Sequence, residues 1–305
     1  MAESWRAERH GVFDAVLAAL YAHPFKIRRP ERQRVPFVFA SPHSGRLYPA
    51  SFVAQSRLDP HCLRRSEDAY ADTLFGGALS LGAPMIAARF PRAFVDANRA
   101  PGELDPSMFD GPLAVGADAP NARVNAGLGV IPRIVRDGAE IYRAKLRPED
   151  AQERIARLHV PYHAALARLI EETRAQFGIA ILIDCHSMPS AAAVPDVVLG
   201  DRFGAAASPA LTRWAEAAFA RSGFGVARNA PYAGGYTTHL YGRREAHVHA
   251  LQIEINRTLY LDEESIEPHA NFGAVRERLN AALNRLTSLD PDELGRAGAA
   301  PLAAE

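Results

Sequence analysis

Two histidines in this chain follow apolar runs into small polar residues: His43 in "FASPHSGRLYP" (39–49) and His186 in "IDCHSMPS" (183–190). Imidazole is the commonest protein ligand for a divalent metal. A catalytic site for zinc usually takes three protein ligands and leaves the fourth position to water. Two imidazoles and one carboxylate are a common set, and "SEDAYAD" offers Glu67, Asp68 and Asp72 as the carboxylate. Asp68, nearest the start of the helix expected there, is the first choice, with Glu67 as the fallback. The same acids would equally complement the positive end of that helix. The chain has no His-Glu-x-x-His segment, so the zincin arrangement is absent.

A base is the second requirement. Glu254 lies in "ALQIEINR", flanked by Ile253 and Ile255. A carboxylate is costly to bury unpaired, and burial tunes a carboxyl group towards proton transfer. An ion pair with Arg257 is the competing explanation. Asp184, just before the "CHS" turn, is a candidate acceptor for the second ring N–H of His186. Arg99 in "DANRAP" and the Arg243-Arg244 pair are candidates for gripping a substrate carboxylate, which a guanidinium binds through its planar fork. Cys185, on an apolar run, reads as an inert small hydrophobe. Neither Ser44 nor Ser187 sits in a Gly-x-Ser-x-Gly elbow. His10, His23, His61, His159, His163 and His269 fall in helices or linkers and read as structural.

The elements that must hold these groups alternate between helix and strand. Helical spacing covers 3–22, with Trp5, Val12, Phe13, Val16, Leu17 and Leu20 as its apolar stripe. A basic, proline-punctuated linker follows over 21–36. Residues 37–40, 84–89, 93–99, 179–184, 195–201 and the "ALQIEI" core of 247–260 read as strands, and "GVARN" as a short one. Helices are expected from Ser66 as N-cap, from Pro148 to Gly178 with a kink at Pro161, over "PALTRWAEAAFARSG", and over 269–288. The stretch "PYAGGYTTHLYGRR" reads as a glycine-bearing loop. Residues 100–137 form a long, aperiodic loop of the kind that serves as a lid. The pattern is α/β: a three-layer α/β/α sandwich with a mixed, mostly parallel sheet. Ligands in such sheets bind beyond the carboxyl ends of the strands, where His43, His186 and the loop after Asp96 all fall. The whole chain, 1–305, is expected to be one domain, with 1–34 as N-terminal helix and linker and 292–305 as a frayed tail.

Composition narrows the partners. The 305 residues carry 35 basic and 35 acidic side chains, so no general field favours nucleic acid or an anionic membrane. Two cysteines make no disulfide framework and suit a reducing compartment. There is no signal-peptide pattern at the start and no apolar run of the ~18 residues that a span needs. A cytoplasmic protein acting on a small molecule is the expectation.

As a set, "SPHSGRLYP", "SEDAYADTLF", "FVDANRAPGELDP", "YHAALARLIEETRAQFGIAILIDCHSMPS", "VVLGD" and "VHALQIEINRTLYLDE" resemble the N-formylglutamate amidohydrolase family over about residues 36–290. The resemblance implies a zinc-carboxypeptidase-like fold and a metal-dependent hydrolase of amide bonds. It implies a Zn²⁺ site, or one for another divalent metal, of His43, Asp68 and His186, with Glu254 as general base and Arg99 beside the substrate. The implied substrate is a small acidic N-acyl amino acid such as N-formyl-glutamate, released as glutamate and formate in histidine degradation. Two alternatives stand beside it: the same chemistry on another N-acyl amino acid or peptide, and a binding protein that kept the fold without catalysis. The chain departs from the family pattern at Ala69-Tyr70-Ala71, where a Trp-His pair is expected, and in "APGELDPSMF", where a tyrosine-containing loop is expected.

Overall fold

The computed structural model describes residues 14–113, 118–119, 121–135, 138–191 and 194–290. Trp5, Val12 and Phe13 of the expected first helix, and the tail from 292, lie outside them. The described residues fall into two compact units, each made of three chain segments. One holds residues up to Lys26, then Pro42–Ala69 and Ala87–Ala165; the other holds Ile27–Ser41, Tyr70–Ile86 and everything from Leu166.

The second unit is organised by the sheet. The strands of the sheet are β1 (Phe25–Arg28), β2 (Phe37–Ser41), β3 (Met85–Ala88), β4 (Ala180–Met188), β5 (Val197–Gly200), β6 (Val226–Arg228) and β7 (Val248–Asn256), of which β2 and β4 to β7 fall entirely in the second unit. They lie in the order β1-β3-β2-β4-β7-β5-β6. β2 with β4, β4 with β7 and β5 with β6 are parallel, and β5 with β7 is antiparallel. This is an α/β fold with a mixed, mostly parallel sheet. The central strands β2, β4 and β7 are buried at every residue, as their unbroken apolar runs require of strands covered on both faces. A two-stranded ribbon of β8 (Leu261–Asp262) and β9 (Glu267–Pro268) follows β7.

The helices are α1 (Ala15–Ala22), α2 (Ala50–Gln55), α3 (Pro60–Arg64), α4 (Ala71–Leu74), α5 (Ala122–Asn125), α6 (Pro148–Arg154), α7 (Val160–Phe177), α8 (Pro209–Ala220), α9 (Tyr236–Tyr241) and α10 (Phe272–Thr287). α6 opens as expected, with Pro148 in its first turn followed by Glu149 and Asp150. A π-helical turn at Ile155–His159 joins it to α7, immediately before Pro161. Proline has no N–H to continue the regular ladder, and a π turn absorbs the mismatch. Ser208 caps α8 through the Leu211 N–H.

Several expectations are corrected. Part of the proline-rich linker is the edge strand β1, which carries Lys26 and Arg28; basic side chains are a usual protection for an exposed sheet edge. Residues 93–99 form turns rather than a strand, because the Pro91 carbonyl accepts the N–H groups of both Phe94 and Val95. The helix expected from Ser66 begins only at α4. Tyr70 before it is left-handed (φ 63°), and the Ser66 hydroxyl donates to the Leu63 carbonyl instead of capping. Asp68 therefore precedes the helix, and only Asp72 lies within it. β4 does not stop before His186 but runs through it to Met188, in register with β7. The glycine-bearing loop contains α9.

That loop presses on the sheet at Gly200. A Cβ there would lie 2.8 Å from both the Ala233 carbonyl carbon and the Gly234 nitrogen. Both are backbone atoms, so a side chain can be accommodated only by moving the loop. Gly200→Ala should cost about 1–3 kcal/mol, the range for overpacking a tight interior. Thermal or urea unfolding reads this directly, and an unchanged midpoint would contradict the close approach.

Candidate active site

In the first unit the site is built around His43, two residues beyond β2. The turn "PHSG" is fixed by Gly45, where a Cβ would meet the Phe90 carbonyl oxygen at 2.0 Å. His43 Nε2 lies 2.7 Å from Asp96 Oδ1. The Asp96 carboxylate also accepts Arg92 Nε at 3.0 Å and the Asn98 N–H at 2.8 Å. Burial would raise the Asp96 pKa. Arg92, His43 and Arg99 outweigh it and hold the carboxyl well below the usual carboxylate range. With Asp96 ionised, the hydrogen of the His43 ring sits on Nε2. Nδ1 then faces Asp68 Oδ2, 3.3 Å away, with both side chains buried. The Asp68 N–H donates to the His43 carbonyl at 3.0 Å, which ties the acid to the turn.

Glu67, the fallback ligand, is engaged elsewhere. It accepts Tyr48 Oη at 2.6 Å and lies 3.4 Å from Arg64 Nε. Burial raises its pKa, against the pull of Tyr48 and Arg64. Arg99 is buried and donates from Nε to the Leu128 carbonyl and from Nη1 to the Asn98 carbonyl, at 2.8 and 3.3 Å.

In the second unit the site lies on one face of β4 and β7. Residues two apart on a strand share a face, and the parallel register pairs Asp184 with Gln252 and His186 with Glu254. His186 Nε2 lies 3.0 Å from Asp184 Oδ2, so Asp184 does meet the second ring nitrogen. Gln252 Nε2 donates to Glu254 Oε1 at 2.7 Å. All four are buried. Arg243 and Arg244 stand elsewhere. Both are exposed, Arg243 pairs with Val248 at the start of β7, and the rise of a strand puts that end about 20 Å from Glu254. Arg244 donates to the Gly204 carbonyl at 2.7 Å.

Reading the sequence missed two residues here. Asp96 was hidden inside an apolar run that looks like a strand. Gln252 was visible as a polar residue two positions before Glu254, hence on the same face, but it carries no charge to attract notice. His43 and Asp68 in the first unit, and His186 in the second, are each buried donors of the kind that bind metal ions.

An α/β sheet with such donors is one class of architecture. The sequence pattern of one family, N-formylglutamate amidohydrolase, matches residues 35–261, and the chain belongs to that family. It is 33% identical over 266 residues to the N-formylglutamate deformylase of Pseudomonas aeruginosa, covering 84% of this chain and 92% of that one. The N-formylglutamate deformylase of Pseudomonas putida is 30% identical over 243 residues, 75% of this chain and 83% of that one. The crystal structure of an N-formylglutamate amidohydrolase from Ralstonia eutropha superposes with a TM-score of 0.81 at 34% identity, over 90% of this chain and 99% of that one. A gene product of Agrobacterium tumefaciens shares the fold at 17% identity, with a TM-score of 0.62.

Two of the histidines read as structural buttress the turn beside His43 within the first unit. His159 Nε2 meets the Arg99 carbonyl at 2.9 Å and His163 Nε2 meets the Ala97 carbonyl at 2.8 Å. They hold the turn that carries Asp96. Burial pushes the His163 imidazole down to about 4, with His159 adding to the shift and the Ala97 carbonyl opposing it. From its ordinary 6.5 down to about 4 the unfolded chain takes up a proton here that the folded chain refuses, so stability is lost as pH falls through that window. The contribution is about 2 kcal/mol between pH 7.5 and pH 5. Urea unfolding at the two pH values should show it, and His163→Gln, which keeps a donor for the Ala97 carbonyl, should remove this share and leave that of His249, whose imidazole burial also pushes down to about 4. An equally steep dependence in the variant would show that His163 is not its source.

Proposed function

We propose that the chain is a metal-dependent amidohydrolase that cleaves N-formyl-glutamate, or a closely similar small acidic N-acyl amino acid, at its amide bond. Family membership and relatives named as N-formylglutamate deformylases support the reaction class. The observation that carries the metal is the His43–Asp68 pair. A carboxylate oxygen and the near nitrogen of an imidazole face each other at 3.3 Å in a buried site. Charge-assisted hydrogen bonds are shorter, about 2.7–2.9 Å. Two ligands on bonds of about 2.0–2.1 Å at a tetrahedral angle stand about 3.3 Å apart. The donor set of two imidazoles and a carboxylate suits Zn²⁺, and other divalent ions accept the same atoms. Asp184 fits this reading too. It is fully buried, and neither of its oxygens makes a hydrogen bond among the described residues beyond the His186 contact. A carboxylate so placed is tolerable beside an imidazole that is itself bound to a cation.

In this proposal His43, Asp68 and His186 hold the metal, and each imidazole is oriented by an acid on its far nitrogen: Asp96 for His43 and Asp184 for His186. When bound, the metal would polarise the amide carbonyl and lower the pKa of the attacking water to roughly 7. Glu254 takes a proton from that water as its oxygen bonds to the formyl carbon. The same proton passes to the departing nitrogen as the C–N bond breaks, giving formate and the free amino acid. Arg99 grips a substrate carboxylate through its Nη groups, since Nε and one N–H of Nη1 already donate to carbonyls. The exposed pair Arg243 and Arg244 has no part in it.

Release of formate from N-formyl-glutamate, set against a panel of other N-acyl amino acids, tests the substrate. Chelation should abolish turnover and added zinc should restore it; full activity in chelator would overturn the metal. Glu254→Gln should keep its metal and lose about 10²–10⁴-fold in kcat, the usual contribution of a general base. Near-normal turnover would remove Glu254 from that role. His186→Ala should fail to retain metal, and full occupancy in that variant would refute its part as a ligand.

A further inference from the structure

The reaction above gives no task to Gln252, a buried polar residue on the β4–β7 face. Gln252 is 4% exposed and stands two residues before Glu254, on the same side of β7. Its amide makes two bonds. The Gly235 N–H donates to Gln252 Oε1 at 2.9 Å, and Gln252 Nε2 donates to Glu254 Oε1 at 2.7 Å. We propose that Gln252 is the positioning residue for Glu254, and that it decides which carboxylate oxygen carries the proton. This inference rests on Glu254 being the base.

The first bond dictates the second. The oxygen and nitrogen of a side-chain amide have nearly the same shape, so their assignment must come from their partners. A backbone N–H can only donate, so the atom it meets is Oε1. Nε2 is then the atom left for Glu254, and an NH₂ group can only donate in turn. Glu254 Oε1 is therefore always an acceptor. The proton taken from water is held on Oε2 as the water oxygen bonds to the amide carbon. It leaves Oε2 for the amine nitrogen as the C–N bond breaks, and Glu254 returns to its starting charge with Gln252 unchanged.

The fold supplies the Gly235 donor by a specific route. Gly200 pairs with Gln252 across the antiparallel β5–β7 register. Because Gly200 has no side chain, the backbone of Ala233 and Gly234 can settle on β5 there. Gly235, next in the chain and the residue before α9, is thereby brought to Gln252. A position that excludes side chains, a loop and a strand amide together constrain one carboxylate.

Gln252→Glu is the informative variant. It keeps an acceptor for the Gly235 N–H but puts an acceptor where Glu254 needs a donor. The expected result is a fall in kcat of about 10–100-fold, the usual effect of removing a group that orients a catalytic residue or ligand. KM and bound metal should stay near the wild-type values. Gln252→Leu, which removes both bonds, should lower kcat similarly and covers the case in which the first variant fails to fold. In a Glu254→Gln background neither substitution should cause much further loss, because groups acting through one another are not additive. A merely structural role would lower the melting temperature and multiply the two losses. If Glu254→Gln itself keeps wild-type turnover, the base assignment fails and this inference with it. If Glu254→Gln is inactive while both Gln252 variants keep their kcat, or if the losses multiply, the positioning role alone is wrong.

Discussion

Ionisable and polar groups are carried into an interior with little water, and each needs a specific partner to remain there. This constraint organises the functional residues. Asp96 stays ionised because Arg92 and His43 face it. His43 is oriented because Asp96 takes one of its ring nitrogens. Asp184 lies against His186, and Glu254 against Gln252. Burying any of these alone would cost several kcal/mol. The cost is offset by building them as pairs, and pairing also fixes direction. A buried pair of this kind adds little net stability but leaves few alternative arrangements.

The backbone makes the pairing possible. In the second unit, parallel register puts His186 beside Glu254 and Asp184 beside Gln252 without any loop having to bring them together. In the first unit the corresponding work falls to turns. The turn after Pro91 presents Asp96, and its following carbonyls are held by His159 and His163 from the long helical segment. The π turn that precedes Pro161 contains His159. A regular helix through these residues would present that imidazole at a different angle, so an irregularity caused by proline serves the placement of a side chain far away in sequence.

Much of this was legible in the chain, and the limits are physical. The runs "FVFA", "IAILID" and "ALQIEI" announce buried strands because short unbroken apolar runs suit a sheet covered on both faces. A histidine or glutamate at the end or centre of such a run stands out by its cost. Each misreading has its own physical cause. "AFVDANR" is as apolar as a strand, but burial can be satisfied by turns when a proline carbonyl collects the free N–H groups. The start of α4 was misplaced because a tyrosine in the left-handed region leaves no mark in residue type. β1 was masked by prolines and basic residues, which belong to linkers and to sheet edges alike. Asp96 and Gln252 act only through partners distant in sequence, and one sequence holds no record of which residues meet.

Both imidazoles of the site are anchored by Nε2, the nitrogen farther from the backbone: His43 by Asp96 and His186 by Asp184. A ring pinned at its far end is a lever with its fulcrum moved outward. Torsional jitter about the side-chain bonds then sweeps Nδ1, close to the Cβ pivot and held on both sides, through a smaller arc than a free tip would trace. In each ring the nitrogen nearer the backbone is the one that moves least, so its position is set mainly by the stiffness of the short stretch of backbone that carries it.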